Sequence, residues 1–202
     1  AESVTDRALQ LLAQEGTQPR FLFLNYFDPH QPYDPPEEFA RQFVSDAVPV
    51  HHSSDSLALE RMTKLYDAEI LYLDVHLGRL FDGLRRMQLF DDAWIIVTAD
   101  HGEMLGEHGV FGHPGAVYQQ AVHIPMIVKP PLGEGVPGRH GDWVQLVDLF
   151  PLMLDAARVE IPEGIQGARP PAIDHPIVIE SRTLTDVNAG GDWFAIIDGD
   201  WK

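Results

Sequence analysis

The chain has 202 residues and a formal net charge of −17, because 31 acidic residues outnumber 14 basic ones. This length is sufficient for one α/β domain with a sizeable core, while the acidic balance argues against binding to nucleic acid or to anionic membrane surfaces. The absence of cysteine excludes disulfides and a thiolate zinc site, and no apolar run approaches the ~20 residues of a membrane span.

The start of the chain predicts a helix, a strand and a proline-rich loop. Ser3 or Thr5 is a suitable cap for the helix. Residues 20–27 are almost continuously apolar, which favours a buried strand of a parallel sheet. The loop 28–36 follows directly and places His30 near the carboxyl end of that strand. Taken alone, this stretch is interpreted as a surface turn with an incidental histidine.

A long amphipathic helix is predicted over residues 56–87. Apolar residues recur there at alternating spacings of three and four, from Met62 to Met87. Charged residues lie mostly off this face, and we interpret Glu69 among them as part of a solvated surface with local ion pairs. His76 is assigned to the same surface.

The central stretch is a strand that ends in polar residues. Residues 94–98 are apolar or β-branched and predict a buried strand, after which Asp100 and His101 follow. Open α/β sheets bind ligands at the carboxyl ends of their strands, and this carboxylate beside an imidazole suggests a divalent metal site. Neighbouring strand residues point to opposite faces, so both can reach one ion only if the chain leaves the strand here, which Gly102 favours. Further polar residues in the following loop strengthen this interpretation over a simple turn: Glu103, Glu107, His108 and His113.

The remainder predicts a strand, a helix and a hairpin. Residues 123–131 contain a short strand, and apolar spacing over 143–157 indicates a helix capped near Asp148. Two further strands are predicted at 177–179 and 193–197. The Asp198-Gly199 turn after the last strand has no return strand, so we expect the chain to be a piece of a longer protein.

Four segments in this order resemble the sulfatase family of the alkaline phosphatase superfamily, over residues 5 to 168. They are Asp28 to Tyr33, the helix with Tyr66 to Ile70 and Asp74, Thr98 to Gly109, and Val147 to Asp155. The resemblance implies an α/β fold with a mostly parallel central sheet flanked by helices, in truncated form. Residues 1–168 would form a partial catalytic domain without its N-terminal part. Residues 169–202 would begin a C-terminal subdomain with a small antiparallel sheet.

The resemblance also implies roles for four residues. Asp100 and His101 would be metal ligands, with calcium the expected ion and magnesium, manganese or zinc as alternatives, since many members carry Asn where this chain has His101. His30 matches the family histidine that faces the sulfate and the leaving-group oxygen. His113 lies near the place where many members carry a lysine that binds the same anion. His30 and His113 are therefore the candidate catalytic and substrate-binding residues.

The family nucleophile, a formylglycine made in a Cys/Ser-x-Pro-x-Arg motif, has no counterpart in this sequence. We expect it outside this chain, together with paired aspartates of the metal site, and we expect the isolated chain to be inactive. The predicted function is hydrolysis of a small-molecule or glycan sulfate ester by the longer protein. A phosphomonoesterase, phosphodiesterase or phosphonate monoester hydrolase and a non-catalytic binding domain are the alternatives. Periplasmic, secreted and cytoplasmic locations all stay open.

Overall fold

The computed structural model describes residues 1–14, 16, 18–44, 56–113, 117–170, 176–181 and 193–198. The chain divides into two compact units. The first contains Ala1–Ala93 and Leu105–Gly109, and the second contains Trp94–Met104 and Val110–Lys202.

The first unit is helical. Helices α1 (Glu2–Leu12) and α2 (Glu37–Phe43) both contact the long helix α3 (Ser56–Arg86). The approach between α1 and α3 is close at Gly83, where a Cβ atom would lie 2.2 Å from the side chain of Leu9. Because glycine has no side chain, the two helices can approach each other closely at this position.

The prediction that Ser3 or Thr5 caps α1 is wrong, because both lie inside the helix and Ala1 is at its N-cap. Thr5 is fully buried, and its hydroxyl donates a hydrogen bond to the carbonyl oxygen of His76 at 3.2 Å. A buried hydroxyl of this kind stabilises the contact between two helices only because it finds a partner there.

Helix α3 confirms the predicted long helix, but its buried face is wider than predicted. Glu69 and His76 are 4% and 6% exposed, so their assignment to a solvated surface is wrong, whereas Ile70 from the predicted apolar face is 42% exposed. The physical reason is that α1 and α2 both pack on α3 and bury two rows of side chains.

The buried imidazole of His76 has a hydrogen-bond partner in Arg79, whose guanidinium lies 2.8 Å from Nδ1. Burial, and then the charge of Arg79, lower the pKa of His76.

Residues 20–27 form neither a helix nor a strand, and within the described part of the chain they belong to no β-ladder. The predicted buried strand is therefore not formed there. Exposure alternates along the segment, with Phe21, Phe23 and Phe27 at 75%, 81% and 67%. The prediction followed apolar composition alone, which cannot show whether a neighbouring strand is present to complete the ladder.

The second unit contains β1 (Ile95–Thr98) and β4 (Met126–Lys129), which pair antiparallel with Thr98 opposite Met126. The strands at both positions confirm the sequence-based prediction. Their pairing differs from the parallel arrangement expected for β1, and within the described residues no parallel ladder is present. Between them the chain forms short elements rather than a crossover helix, which favours antiparallel pairing. These are β2 (Met104–Leu105), a 3-10 helix (Glu107–Gly109), β3 (Phe111–Gly112) and α4 (Gln119–Val122).

A helix begins where the sequence predicts a cap at Asp148. A 3-10 turn (Leu146–Asp148) continues into α5 (Leu149–Ala156), with Pro151 in the first turn. The carboxylate of Asp148 is fully buried and accepts hydrogen bonds from the N–H groups of Gln145 and Ala168, both at 2.8 Å. It therefore ties the segment at 168 to the start of the helix.

The C-terminal strands confirm the predicted small antiparallel sheet. β5 (Ile177–Ser181) pairs with β6 (Trp193–Ile197), with Ile177 opposite Ile197. Gly199 of the predicted turn lies outside the described residues. The chain is thus α/β with small antiparallel sheets, and the described part has no helix with the length and hydropathy required to cross a membrane.

The Asp148 carboxylate is predicted to be a main source of stability in the second unit. Asp148→Ala leaves two partly buried N–H groups without their acceptor, so the free energy of unfolding should fall by about 1–3 kcal/mol. Chemical denaturation measures this loss, with Asp142→Ala, at an exposed aspartate, as the matched control. Equal stability of the two variants would show that the Asp148 contacts contribute little.

Candidate functional site

Asp100 and His101 lie directly after β1 and form a close pair. Nε2 of His101 is 3.8 Å from Oδ2 of Asp100, and their side chains are 37% and 88% exposed. Metal–ligand bonds of about 2.0–2.6 Å allow donors at this separation to bind one cation. The other oxygen of Asp100, Oδ1, accepts the backbone N–H of His101 at 3.1 Å, which orients the carboxylate.

The ring of His101 is oriented by its neighbour Gly102. Nδ1 lies 2.8 Å from the carbonyl oxygen of Gly102, so Nδ1 carries the proton and donates it. The lone pair of the neutral ring then resides on Nε2, the nitrogen that faces Asp100. This second hydrogen bond is the usual way in which proteins fix a metal-binding histidine.

Gly102 brings the end of β1 against α4. Its N–H donates to the carbonyl of Ala121 at 2.7 Å, and a Cβ atom at this position would lie 2.0 Å from the carbonyl oxygen of Gln120. No other residue type fits without moving one of the two segments. β1 ends at Thr98, so Asp100 and His101 lie outside the strand, as the metal hypothesis requires.

His113 lies beside this pair. Its ring is tilted by 30° on the ring of His101, with 4.0 Å between centroids. Nδ1 of His113 lies 3.1 Å from Oε1 of Glu103, a carboxylate whose side chain is 4% exposed. Because a carboxylate accepts, Nδ1–H is the donor, and Nε2 is the second nitrogen through which His113 can act on an anion.

Two predicted metal ligands and one predicted anion-binding residue are thus brought together in the second unit. Within the described residues, no group of three histidine, aspartate or glutamate side chains is arranged to hold an ion. Asp100 and His101 fit as two ligands of a cation and do not form a complete site. Their metal-binding role stays a prediction.

His30, the fourth predicted site residue, lies in the first unit on the loop after residues 20–27. Its ring stacks on Phe27 with 4.4 Å between centroids, and Nδ1 lies 2.6 Å from the carbonyl oxygen of Gln31. The loop is fixed to α3 by Glu69, whose Oε1 accepts the N–H of Asp34 at 2.8 Å. Burial raises the pKa of Glu69 from 4.5 to about 7.

Sequence reasoning missed two carboxylates that brace the histidines. Glu103 was noted only as one of several polar residues near the strand end, and Glu69 was assigned to the surface. The apolar Met104 directly after Glu103 is the signal in the sequence that this part of the loop packs against the protein, and in the structure Met104 is buried. The sequence gives no such signal for Glu69, because the periodicity of apolar residues in a helix does not show how many other helices pack on it.

Comparison with known proteins decides the family. The family model described as Sulfatase matches residues 1–159. The chain belongs to the sulfatase family. It is 28% identical to the uncharacterized sulfatase YidJ of Escherichia coli (strain K12), over 87% of this chain and 39% of that protein. It is 35% identical to an N-acetylglucosamine-6-O-sulfatase of Bacteroides thetaiotaomicron, over 51% of this chain and 18% of that protein.

The fold of the sulfatase chain is shared with solved hydrolases. A phosphonate monoester hydrolase of Agrobacterium radiobacter superposes with a TM-score of 0.76 at 20% identity, over 96% of this chain and 49% of that one. At such identity the likeness concerns the fold alone. The chain spans about two fifths of the length of curated relatives such as YidJ and an arylsulfatase of Clostridium perfringens, at 39% and 38%. The family membership and the α/β class expected from the sequence are thereby confirmed.

Gly102 is predicted to be required for the geometry of the strand end. Gly102→Ala places a methyl group against the Gln120 carbonyl, so the free energy of unfolding should fall by about 1–3 kcal/mol. Gly141→Ala is the matched control, since a Cβ atom there meets nothing within 4 Å. Chemical denaturation of both variants provides the measurement. A Gly102→Ala protein as stable as the control would contradict the close approach.

Proposed function

We propose that the protein to which this chain belongs hydrolyses sulfate esters with a divalent cation and a formylglycine nucleophile. The observation that carries the proposal is the Asp100–His101 pair after β1, with the ring of His113 against His101. The carboxylate and the first imidazole can hold a cation, and the second imidazole can donate a hydrogen bond, so that together they can offer positive charge and a donor to an anionic ester.

Asp100 and His101 are the proposed metal ligands. Calcium is the first candidate, with magnesium, manganese and zinc as alternatives, because a nitrogen ligand is less typical of calcium. When bound, the cation would supply positive charge to neutralise ester oxygens. Such a local charge is required in a chain whose formal net charge is −17. The hydrogen bond from His101 Nδ1 to Gly102 supports this role, since it presents Nε2 as the ligand atom.

His113 is the proposed anion-binding residue. Its Nδ1–H donates to the buried Glu103, which fixes the ring and directs Nε2 away from that carboxylate. In its protonated form His113 presents an N–H and a positive charge, the two properties that a lysine would also offer to a sulfate group. Glu103 would compensate that charge on the opposite side of the ring.

His30 is the proposed proton donor to the leaving oxygen. Loss of an alcohol is slow when the oxygen leaves as an anion, and a positioned imidazolium removes that barrier by donating a proton. The stacking on Phe27 and the hydrogen bond from Nδ1 to Gln31 restrict the ring, so that Nε2 would be the donating atom. The nucleophile itself, a hydrated formylglycine, would come from outside this chain.

A sulfated sugar is the proposed substrate class. The relative with the highest identity cited above is named for removal of a 6-O-sulfate from N-acetylglucosamine. A phosphonate monoester is the alternative substrate, supported by the shared fold of the Agrobacterium hydrolase. Both substrates place an anionic tetrahedral group next to a leaving oxygen, so the same histidines would serve either.

The full-length protein is predicted to prefer sulfate esters. We expect kcat/KM for 4-nitrophenyl sulfate to exceed that for a 4-nitrophenyl phosphonate monoester, and His113→Ala to lower it by roughly 10²- to 10⁴-fold. His140→Ala, at an exposed histidine of the same unit, is the control and should change it little. Preference for the phosphonate would support the alternative. Absence of hydrolysis of either ester, with bound metal, would favour a binding domain.

A further inference from the structure

Glu69 is a buried acid that the proposed chemistry does not use. It is 4% exposed on α3, and its Oε1 accepts the N–H of Asp34 at 2.8 Å. Within the described residues its other oxygen, Oε2, is buried without a hydrogen-bond partner. A half-satisfied buried carboxyl group reduces stability, so a purely structural role would be served better by an apolar side chain.

The charged and hydrogen-bonding groups that shift the pKa of Glu69 belong to the loop that carries His30. Its pKa is raised to about 7, mainly by burial and to a smaller extent by the charges of Asp28 and Asp34. The hydrogen bond from the backbone N–H of Asp34 opposes that rise. The carboxyl group therefore holds the loop backbone at Asp34, four residues after the histidine.

The neutral acid is the form of Glu69 that the folded protein favours. A carboxyl pKa raised on folding contributes stability at acidic pH, and this contribution is lost as the pH rises through about 7. Glutamine has the shape of the neutral acid and retains the carbonyl acceptor for the N–H of Asp34. It is therefore the conservative replacement, whereas leucine has similar volume and no acceptor.

The direction of the His30 ring is set by the same stretch of backbone. The N–H of His30 donates to the carbonyl oxygen of Asp28 at 2.7 Å, and Nδ1 contacts the carbonyl of Gln31 at 2.6 Å. A shift of this backbone therefore moves the imidazole and changes which nitrogen carries the proton.

We propose that Glu69 is a positioning residue for His30, because its carboxyl group fixes the 28–34 loop to α3 and thereby sets the place and tautomer of the imidazole. The catalytic consequence rests on the proposed function, in which His30 donates a proton to the leaving oxygen. The geometric claim does not depend on that function, and the two are tested by separate measurements.

The first measurement is the ring-nitrogen NMR spectrum of His30 in the full-length protein with ¹⁵N-labelled histidine. The unmodified protein should show the Nδ1–H tautomer at a pH above the titration of the ring. Glu69→Leu should give a mixture of tautomers, while Glu69→Gln and the exposed control Asp67→Leu should retain the original spectrum. An unchanged His30 spectrum in folded Glu69→Leu would overturn the proposal.

The second measurement compares sulfate esters with good and poor leaving groups, 4-nitrophenyl sulfate and an alkyl sulfate. Glu69→Leu should lower kcat for the alkyl ester by roughly tenfold or more, with a much smaller effect on KM and on the 4-nitrophenyl ester. Glu69→Gln should restore most of the loss. In a His30→Ala background, Glu69→Leu should cause no further loss, because the group it positions is already absent.

The outcomes of these measurements distinguish the positioning role of Glu69 from the proposed function. Equal losses from Glu69→Leu with and without His30 would show independent action and overturn the positioning role. If the full-length protein hydrolyses neither sulfate ester, the proposed function fails, and the NMR spectrum alone then supports or overturns the positioning of His30 by Glu69.

Discussion

The contact between Gly102 and the backbone of α4 is the constraint on which the rest of the site depends. In a regular strand, Asp100 and His101 would point to opposite faces. β1 ends at Thr98, and the hydrogen bond from Gly102 to Ala121 holds the segment that follows it, while the same glycine supplies the carbonyl that orients the His101 ring. One residue without a side chain therefore both anchors this segment to α4 and selects the nitrogen that faces Asp100.

Three carboxyl groups with buried side chains accept hydrogen bonds that order parts of this acidic chain. Glu103 pairs with a histidine, Asp148 with two backbone N–H groups, and Glu69 with the loop that bears His30. Burial of such a group is unfavourable unless it is hydrogen bonded or neutral. Asp148 and Glu69 each fix an irregular segment to a helix, whereas Glu103 joins two loop residues.

The sequence predicted the helices and strands more accurately than the segments with which they pair or pack. The long helix, the strands at 95–98 and 126–129 and the helix after Asp148 follow from local periodicity and caps, which act over a few residues. The pairing of β1 with β4 and the lack of a ladder at 20–27 depend on distant segments, which periodicity does not encode. The same holds for Glu69 and His76, whose burial arises from helices remote in sequence.

The candidate site shows a similar division. Asp100, His101 and His113 were chosen from residue type and order, and the structure places them side by side in one unit. Their hydrogen-bond partners Gly102 and Glu103 were not assigned such roles, because the tautomer of a histidine depends on loop geometry. Residue type thus indicated the chemistry, while the directions of the donors required the folded chain.

The most direct test of the central claim is anomalous diffraction from crystals of the full-length protein grown with Mn²⁺. We predict one manganese peak within about 2.0–2.5 Å of a carboxylate oxygen of Asp100 and of Nε2 of His101. A manganese ion coordinated by neither residue, or no bound ion at the end of β1, would contradict the assignment of this strand end as a metal site.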